Sequence, residues 1–150
     1  MIKILLLEDS SEKTKKIKDV ILINENIQQE NIISIVCTKD ARIKLYEQEF
    51  DLFITDLLVP SEFGDEENAE ESISLLYDIS NDDQMNKPLN IIGLTAYDDK
   101  IEDYKKYFSN ESWSLVSYSE STHNWENILT KKLDYILNIK KHNVTINRYI

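Results

Sequence analysis

The chain has 150 residues, of which 41 % are apolar and 30 % charged, a balance typical of one globular domain with a buried core rather than of a disordered chain. Its 28 acidic and 17 basic residues give a net charge of −11, which disfavours binding to nucleic acid or to anionic membrane surfaces. The single cysteine, Cys37, excludes an intrachain disulfide and a cysteine zinc cluster.

Five short apolar runs predict the strands of one sheet, and they span residues 2–7, 32–37, 51–55, 90–94 and 114–117. The first four are nearly continuous in Ile, Leu and Val, as is typical of strands buried on both faces of a parallel sheet. The first run is too short for a signal peptide or a membrane span. We therefore expect a cytoplasmic protein.

Segments with helical spacing of apolar residues lie between and after these runs. They begin after Ser11, near Thr38 as a plausible N-cap, and at about residues 66, 98 and 125, and the last of them ends near Ile139. Such alternation predicts an α/β fold, a single doubly wound five-stranded parallel sheet. We assign residues 1–139 to this domain and residues 140–150 to a C-terminal tail, which is too short for an output domain.

Polar residues follow three of the predicted strands: Glu8 and Asp9 the first, Asp56 the third and Thr95 the fourth. Ligands of open parallel sheets bind beyond the carboxyl ends of the strands. Clustered carboxylates repel one another unless a cation is present, and a set of oxygen ligands favours Mg²⁺. A carboxylate beside such a metal can attack phosphorus, and a threonine hydroxyl can donate a hydrogen bond to a phosphoryl oxygen. The alternative, that these residues merely cap helices, requires a coincidence at three strand ends.

The sequence resembles the receiver domain of two-component response regulators. The matching segments are residues 3–10, residues 50–60 together with Gly64, and residues 88–96, which combine an acidic pair, an Asp-x-x-x-Pro segment and a Thr-Ala pair. The resemblance spans about residues 2–139. It implies a flavodoxin-like topology with strand order 2-1-3-4-5.

The resemblance also implies a role for each matching residue. Asp56 would accept a phosphoryl group from a histidine kinase or a phosphotransfer protein. Asp9 would bind Mg²⁺ directly, Glu8 would act through water, and the backbone carbonyl of Leu58 would complete the protein ligands. Thr95 would act as the switch, moving towards the phosphoryl group.

Two bulky residues border the path that the hydrolytic water takes in the family. They are Leu58 and Tyr97, each two residues beyond a site residue. We hypothesise that they tune the site by slowing dephosphorylation.

One departure from the family concerns the lysine at the end of the fifth strand, which pairs with the phosphoryl group in receivers. By family spacing its position is Ser117, or Val116 if the register slips by one residue. The sequence has no lysine between Lys106 and Lys131. Because this lysine is missing, an alternative function remains: a degenerate pseudo-receiver that binds partners without phosphorylation.

Two charged segments have a simple interpretation. The acidic residues of segment 62–71 are expected to form a solvated helix start, with a second metal site as the less favoured alternative. The lysines of the first helix are expected to form a solvated face, with a kinase-docking surface as the alternative; they are Lys13, Lys15, Lys16 and Lys18.

The leading prediction is therefore a stand-alone receiver, not an enzyme, that signals through contacts with a downstream protein. In the family, the face formed by the fourth and fifth helices is often a dimer surface, so a homodimer is a further alternative. A small Mg²⁺-dependent phosphatase with Asp56 as nucleophile is disfavoured, because the residue two positions on, Leu58, offers no carboxyl group as general acid.

Overall fold

The computed structural model describes residues 1–119 and 124–148, and side chains as far as residue 142. The strands are β1 (Ile4–Leu7), β2 (Ile32–Ile35), β3 (Leu52–Thr55), β4 (Val59–Pro60), β5 (Glu67–Asn68), β6 (Asn90–Thr95) and β7 (Ser114–Ser117). The α-helices are α1 (Ser11–Ile21), α2 (Thr38–Glu47), α3 (Ala69–Asn81), α4 (Asp98–Asn110) and α5 (Asn124–Arg148), and a short 3₁₀ helix spans Gln29–Asn31. None of the helices in these ranges is long and apolar enough to cross a membrane.

Five strands form one parallel sheet in the order β2-β1-β3-β6-β7. The two short strands β4 and β5 form a separate antiparallel hairpin. Without that hairpin, the order in the sheet is 2-1-3-4-5 along the chain. The predicted fold class and its flavodoxin-like topology are therefore confirmed.

The sheet buries apolar side chains on both faces, because successive residues of a strand point to opposite sides. In β1, Leu6 packs into the cluster formed with α1 and α5, whereas Leu5 packs into the cluster formed with α2, α3 and α4. Both leucines are fully buried. A buried leucine stabilises a fold by about 1.5–3 kcal/mol, so this double-sided burial explains the nearly continuous apolar runs in the sequence.

Glycine at position 93 of β6 allows helix α4 to approach the sheet closely. A Cβ atom there would lie 2.7 Å from Cδ1 of Leu115 and 2.7 Å from Cε2 of Phe108. Phe108 belongs to α4 and is almost completely buried. A residue with a Cβ atom at position 93 would therefore force the side chains of Phe108 and Leu115 to shift.

The starts of two helices differ from the prediction. Cys37 occupies the N-cap of α2 without a side-chain hydrogen bond, while the Thr38 hydroxyl donates to the carbonyl of Ser61 at 3.3 Å. Helix α3 begins at Ala69, where the side chain of Asn68 accepts from the backbone N–H of Glu71 at 3.1 Å. The acidic segment 62–71 therefore contains strand β5 of the β4–β5 hairpin as well as the start of α3, which corrects its interpretation as a helix start alone.

Helix α5 continues beyond Ile139, the residue at which the sequence places the end of the domain. Lys140 lies in this continuation, and its Nζ is 2.9 Å from Oδ1 of Asp51, just before β3. The predicted tail thus begins within a helix, which runs to Arg148; residues 149 and 150 lie outside the described part of the chain.

Candidate functional site

The carboxyl ends of β1, β3 and β6 bring the predicted site residues to one edge of the sheet. Two backbone hydrogen bonds extend the strand pairing past the strand ends: Glu8 N–H donates to Ile35 O and Asp56 N–H to Leu7 O, each at 3.1 Å. Glu8 and Asp56 are buried, and Asp9 is half-buried. The strands therefore hold two of the three predicted carboxylates inside the protein and the third at its surface.

These residues border a cavity of about 240 Å³ at this edge. Most of its lining is polar or charged, and five of its residues carry carboxyl groups. The lining residues are Glu8, Asp9, Ser10, Glu12, Lys13, Asp56, Glu67, Ala96, Tyr97 and Tyr118. The sequence thus predicted three of the five acidic residues of this cavity, Glu8, Asp9 and Asp56, but not Glu12 or Glu67, and it did not predict Lys13 there.

The two carboxylate oxygens of Asp56 have different surroundings. Oδ1 accepts hydrogen bonds from the backbone N–H groups of Leu57 at 2.6 Å and Leu58 at 3.3 Å. Oδ2 lies 3.1 Å from the ammonium nitrogen of Lys13. Because backbone donors hold Oδ1, Oδ2 is the oxygen directed at the lysine and the cavity.

Lys13 is the centre of this site although its side chain is only 9 % exposed. Its ammonium group has three acceptors: Glu8 Oε1 at 2.8 Å, Asp56 Oδ2 at 3.1 Å and the Leu94 carbonyl at 2.8 Å. The ring of Tyr118 lies over it, with 4.9 Å between Nζ and the ring centroid. An ammonium group has three hydrogens, so these acceptors use its full donor capacity.

The burial of Lys13 contradicts the prediction that the lysines of α1 form one solvated face. Lys15, by contrast, has a side chain that is 80 % exposed, and Lys16 one that is 41 % exposed. The sequence contained a signal for the difference, since Lys13 lies four residues before Ile17 and eight before Ile21, and both isoleucines are buried. Residues at this spacing share one helix face, so Lys13 belongs to the apolar face of α1.

Glu67 reaches the site from strand β5, and the sequence analysis assigned it no role there. A hydrogen bond with Asp9 raises the pKa of Glu67, and desolvation and the negative charges of Asp9 and Asp56 act in the same direction. Nothing in the local sequence indicated this contact, because the β4–β5 hairpin creates it.

Burial also perturbs Glu8. Desolvation raises the pKa of Glu8 to about 7, and it outweighs the opposing attraction of Lys13. The charge of Asp56 adds to the increase. Separately from this shift, the cavity lining has five carboxyl groups and, among the described residues, one ammonium group, an excess that favours an additional cation.

Thr95 and Ser117 are register partners at the ends of the paired strands β6 and β7. Thr95 is fully buried, and its hydroxyl accepts from the N–H of Tyr97 at 3.2 Å. The Ser117 hydroxyl donates to Oδ1 of Asp98 at 3.1 Å, and Ser117 is not among the residues that line the cavity. Val116, the alternative position for the family lysine, packs in the core on the α1 and α5 side.

The two tuning residues occupy different positions. Tyr97 lines the cavity and is 44 % exposed, whereas Leu58 is half-buried and is not part of the lining. Their effect on hydrolysis and the metal-binding role of the Leu58 carbonyl stay predictions.

The donor atoms of this cavity fit Mg²⁺ in their chemistry. Among the residues that the structure describes, no three carboxylate, histidine or cysteine side chains form a ready-made metal site. Mg²⁺ binds through a few carboxylate oxygens and retains several waters, so a complete set of protein ligands is not required. The excess of carboxylates over ammonium groups is the feature that fits this cation.

Comparison with curated proteins gives a limited result. No family model matches the chain. An uncharacterized protein of Sinorhizobium fredii (strain NBRC 101917 / NGR234), y4jS, is 28 % identical over 134 residues, which cover 89 % of the chain. The chain corresponds to 32 % of the length of that relative.

Solved structures show a clearer similarity. The chemotaxis response regulator CheY4 of Vibrio cholerae is 17 % identical with a TM-score of 0.58, over 91 % of this chain and 98 % of that one. The receiver domain of the sensor histidine kinase PA1611 from Pseudomonas aeruginosa PAO1, with a magnesium ion coordinated in its active site cleft, is 13 % identical with a TM-score of 0.54, over 91 % and 98 % of the two chains. The N-terminal domain of a response regulator receiver protein from Methanoculleus marisnigri JR1 has a TM-score of 0.52 at 16 % identity, over 86 % and 94 %. The chain therefore has the fold of response-regulator receiver domains.

Proposed function

We propose that this protein is a response-regulator receiver that accepts a phosphoryl group on Asp56. The observation that carries the proposal is the asymmetry of the Asp56 carboxylate, with Oδ1 bound to two backbone N–H groups and Oδ2 directed at the acidic cavity. Such an arrangement presents one oxygen as a nucleophile and holds the other still. The receiver fold of the chain supports the same assignment.

The proposed reaction transfers a phosphoryl group from a phosphohistidine of the donor protein to Asp56. Oδ2 of Asp56 forms a bond to phosphorus while the phosphorus–nitrogen bond of a phosphohistidine breaks. The electron pair of the broken bond goes to the imidazole nitrogen, and because the other ring nitrogen of the phosphohistidine already carries a proton, the histidine leaves as neutral imidazole. The hydroxyl of Thr95 accepts from Tyr97 N–H and can also donate its own hydrogen. Because Thr95 is fully buried and is not one of the lining residues, it would have to move towards the cavity to donate to a phosphoryl oxygen.

Mg²⁺ is the proposed cofactor. Asp9, Asp56 and the Leu58 carbonyl would hold it, and Glu8 would act through water. When bound, the ion neutralises negative charge on the carboxylates and on the phosphoryl group.

The partners follow from this chemistry. We propose a histidine kinase or a phosphotransfer protein as donor and a second protein as the target of the phosphorylated form. The chain acts here as a phosphoacceptor rather than as an enzyme with a substrate of its own. A cytoplasmic location, independence of an output domain and a homodimer stay predictions, and the chain matches only 32 % of its curated relative.

The direct test is the intact mass of the protein after incubation with acetyl phosphate and Mg²⁺, beside an Asp56→Ala control. A phosphoryl adduct on the wild type alone supports the proposal. If rapid quenching traps no adduct, with either acetyl phosphate or a panel of phosphorylated kinases as donors, the proposal is wrong. Steady hydrolysis of a generic phosphate ester would instead favour the phosphatase.

The ion pair between Lys13 and Asp56 favours a second candidate, a phosphorylation-independent interaction module. A buried ammonium group that joins α1, β1, β3 and β6 fixes the site in one arrangement. In that case Asp56→Asn would leave the affinity for a captured partner unchanged. In a working receiver, the same substitution would abolish the effect of acetyl phosphate on that affinity.

A further inference from the structure

We infer that Lys13, on helix α1, supplies the positive charge that binds the phosphoryl group, in place of the lysine that receivers carry on the fifth strand. The inference rests on the proposed function of Asp56. It names the side chain that would bind the phosphoryl group carried by Asp56. It makes α1, rather than β7, the element that contacts the phosphoryl group through a cationic side chain.

The first support is the absence of a cation on the expected strand. Ser117 stands at the end of β7, level with Thr95, and its hydroxyl bonds to Asp98 rather than lining the cavity. The sequence has no lysine from position 107 to position 130. Among the described residues that line the cavity, Lys13 is the sole cation.

The second support is the position of the ammonium nitrogen. It lies 3.1 Å from Oδ2 of Asp56, the oxygen that would carry the phosphoryl group, and 2.8 Å from Oε1 of Glu8. When Oδ2 becomes the bridging oxygen of an aspartyl phosphate, the new phosphoryl oxygens lie one bond further into the cavity. The ammonium group can then exchange Oδ2 for a phosphoryl oxygen and keep its bonds to Glu8 and to the Leu94 carbonyl.

The third support is the way the side chain is held. The Leu94 carbonyl accepts from Nζ at 2.8 Å, and the Tyr118 ring lies 4.9 Å from it. Tyr118 packs against Trp125 of α5 with 5.0 Å between ring centroids. A lysine side chain that is fixed before the ligand arrives loses little conformational entropy on binding.

A purely structural role is the competing explanation, because Lys13 also neutralises Glu8. The two roles differ in what they predict for a phosphoryl mimic. A ligand of the phosphoryl group contacts that mimic directly, whereas a structural lysine affects only the stability of the empty protein. The experiment therefore measures ligation as well as folding.

The test uses beryllofluoride, a mimic of a phosphoryl group on a carboxylate, with Mg²⁺ and the full chain. Its affinity is measured by ¹⁹F NMR for the wild type, Lys13→Met and a matched control, Lys15→Met, which replaces an exposed lysine of the same helix. A charge-assisted hydrogen bond corresponds to a change in affinity of about tenfold to a hundredfold. We expect such a loss for Lys13→Met and none for Lys15→Met.

Two further measurements keep the inference falsifiable if Lys13→Met is poorly folded. In the wild type, the ¹⁵N signal of Lys13 Nζ should shift when beryllofluoride binds, while that of Lys15 stays in place. The double variant Lys13→Met with Ser117→Lys, which moves the lysine to the strand position of the family, should recover beryllofluoride affinity.

The outcomes separate the inference from the proposed function. If the wild type forms a phosphoryl adduct but Lys13→Met binds beryllofluoride as tightly as Lys15→Met, the inference is wrong and the receiver function stands. An unshifted Lys13 Nζ signal in the bound wild type also overturns it. If the wild type forms no adduct and binds no beryllofluoride, both fail together.

Discussion

The ammonium nitrogen of Lys13 lies 3.1 Å from Oδ2 of Asp56, across 43 positions of sequence. Both side chains are more than nine-tenths buried. The contact joins the first turn of α1 to the carboxyl end of β3, and it gives the acidic cavity its only cation among the described lining residues. The consequences for stability and for ligand binding can be tested separately.

The first prediction concerns stability without ligands. Removing one member of a buried ion pair costs about 3–5 kcal/mol when the other is left unpaired, so we expect Lys13→Met to lower the free energy of unfolding by about that amount. Asp56→Asn should change it by less than about 1 kcal/mol or increase it, because Lys13 keeps Glu8 as a partner and one repulsive charge is lost. Urea denaturation measures both. Equal losses for the two variants would contradict this reading of the charge balance.

The second prediction concerns Mg²⁺. An ion that binds only the folded state stabilises it by about 2.7 kcal/mol at a hundred times its dissociation constant. We expect added MgCl₂ to raise the midpoint of thermal unfolding, and Asp9→Asn to remove most of the increase. NaCl at matched ionic strength is the control for screening. An increase that persists in Asp9→Asn would place the ion elsewhere.

The third prediction concerns Glu67 on the β4–β5 hairpin. The pKa of Glu67 is raised through its hydrogen bond to Asp9, so its carboxyl group lies where it acts on a cation at the predicted site. We expect Glu67→Gln to weaken Mg²⁺ binding about threefold to tenfold, as loss of one nearby charge implies. Calorimetric titration measures the affinity, and Glu66→Gln, an exposed neighbour, is the matched control. Unchanged affinity in Glu67→Gln would show that the hairpin does not contribute to the metal site.

The fourth prediction concerns the lifetime of the phosphorylated form. Tyr97 lines the cavity and is 44 % exposed, so its ring can restrict the approach of water to Asp56. We expect Tyr97→Ala to shorten the phosphoryl lifetime severalfold, on the order of 1 kcal/mol in the barrier to hydrolysis. The decay of the adduct, followed by intact mass after removal of the donor, measures this. A lifetime equal to that of the wild type would refute a shielding role.

The fifth prediction concerns the packing of α4. Gly93→Ala would place a Cβ atom 2.7 Å from Cε2 of Phe108. Overpacking of a core costs about 1–3 kcal/mol, so we expect a loss of that size in urea denaturation. Gly93→Ala combined with Phe108→Leu should recover part of it, since the smaller side chain makes room. If the single substitution has no effect, α4 is packed more loosely than the structure shows.

Sequence patterns alone are sufficient to predict the layered architecture. Continuous apolar runs such as the one at Ile4–Leu7 require burial on both faces, and their alternation with helical segments specifies a parallel sheet. Because the carboxyl ends of parallel strands meet at one edge, Glu8, Asp9, Asp56 and Thr95 could also be grouped without coordinates. Both inferences depend on periodicity and chain order, which are local properties of a sequence.

The electrostatics of the site, by contrast, depend on contacts that form only in the folded protein. Lys13 shares a helix face with Ile17, but whether a lysine on an apolar face extends to solvent or turns inward depends on the acceptors that other elements provide. Those acceptors, Asp56 Oδ2 and the Leu94 carbonyl, come from β3 and β6. Glu67 likewise reaches Asp9 only because a hairpin folds back over the cavity. Charge balance depends on distances between residues far apart in the chain, and local sequence patterns do not encode those distances.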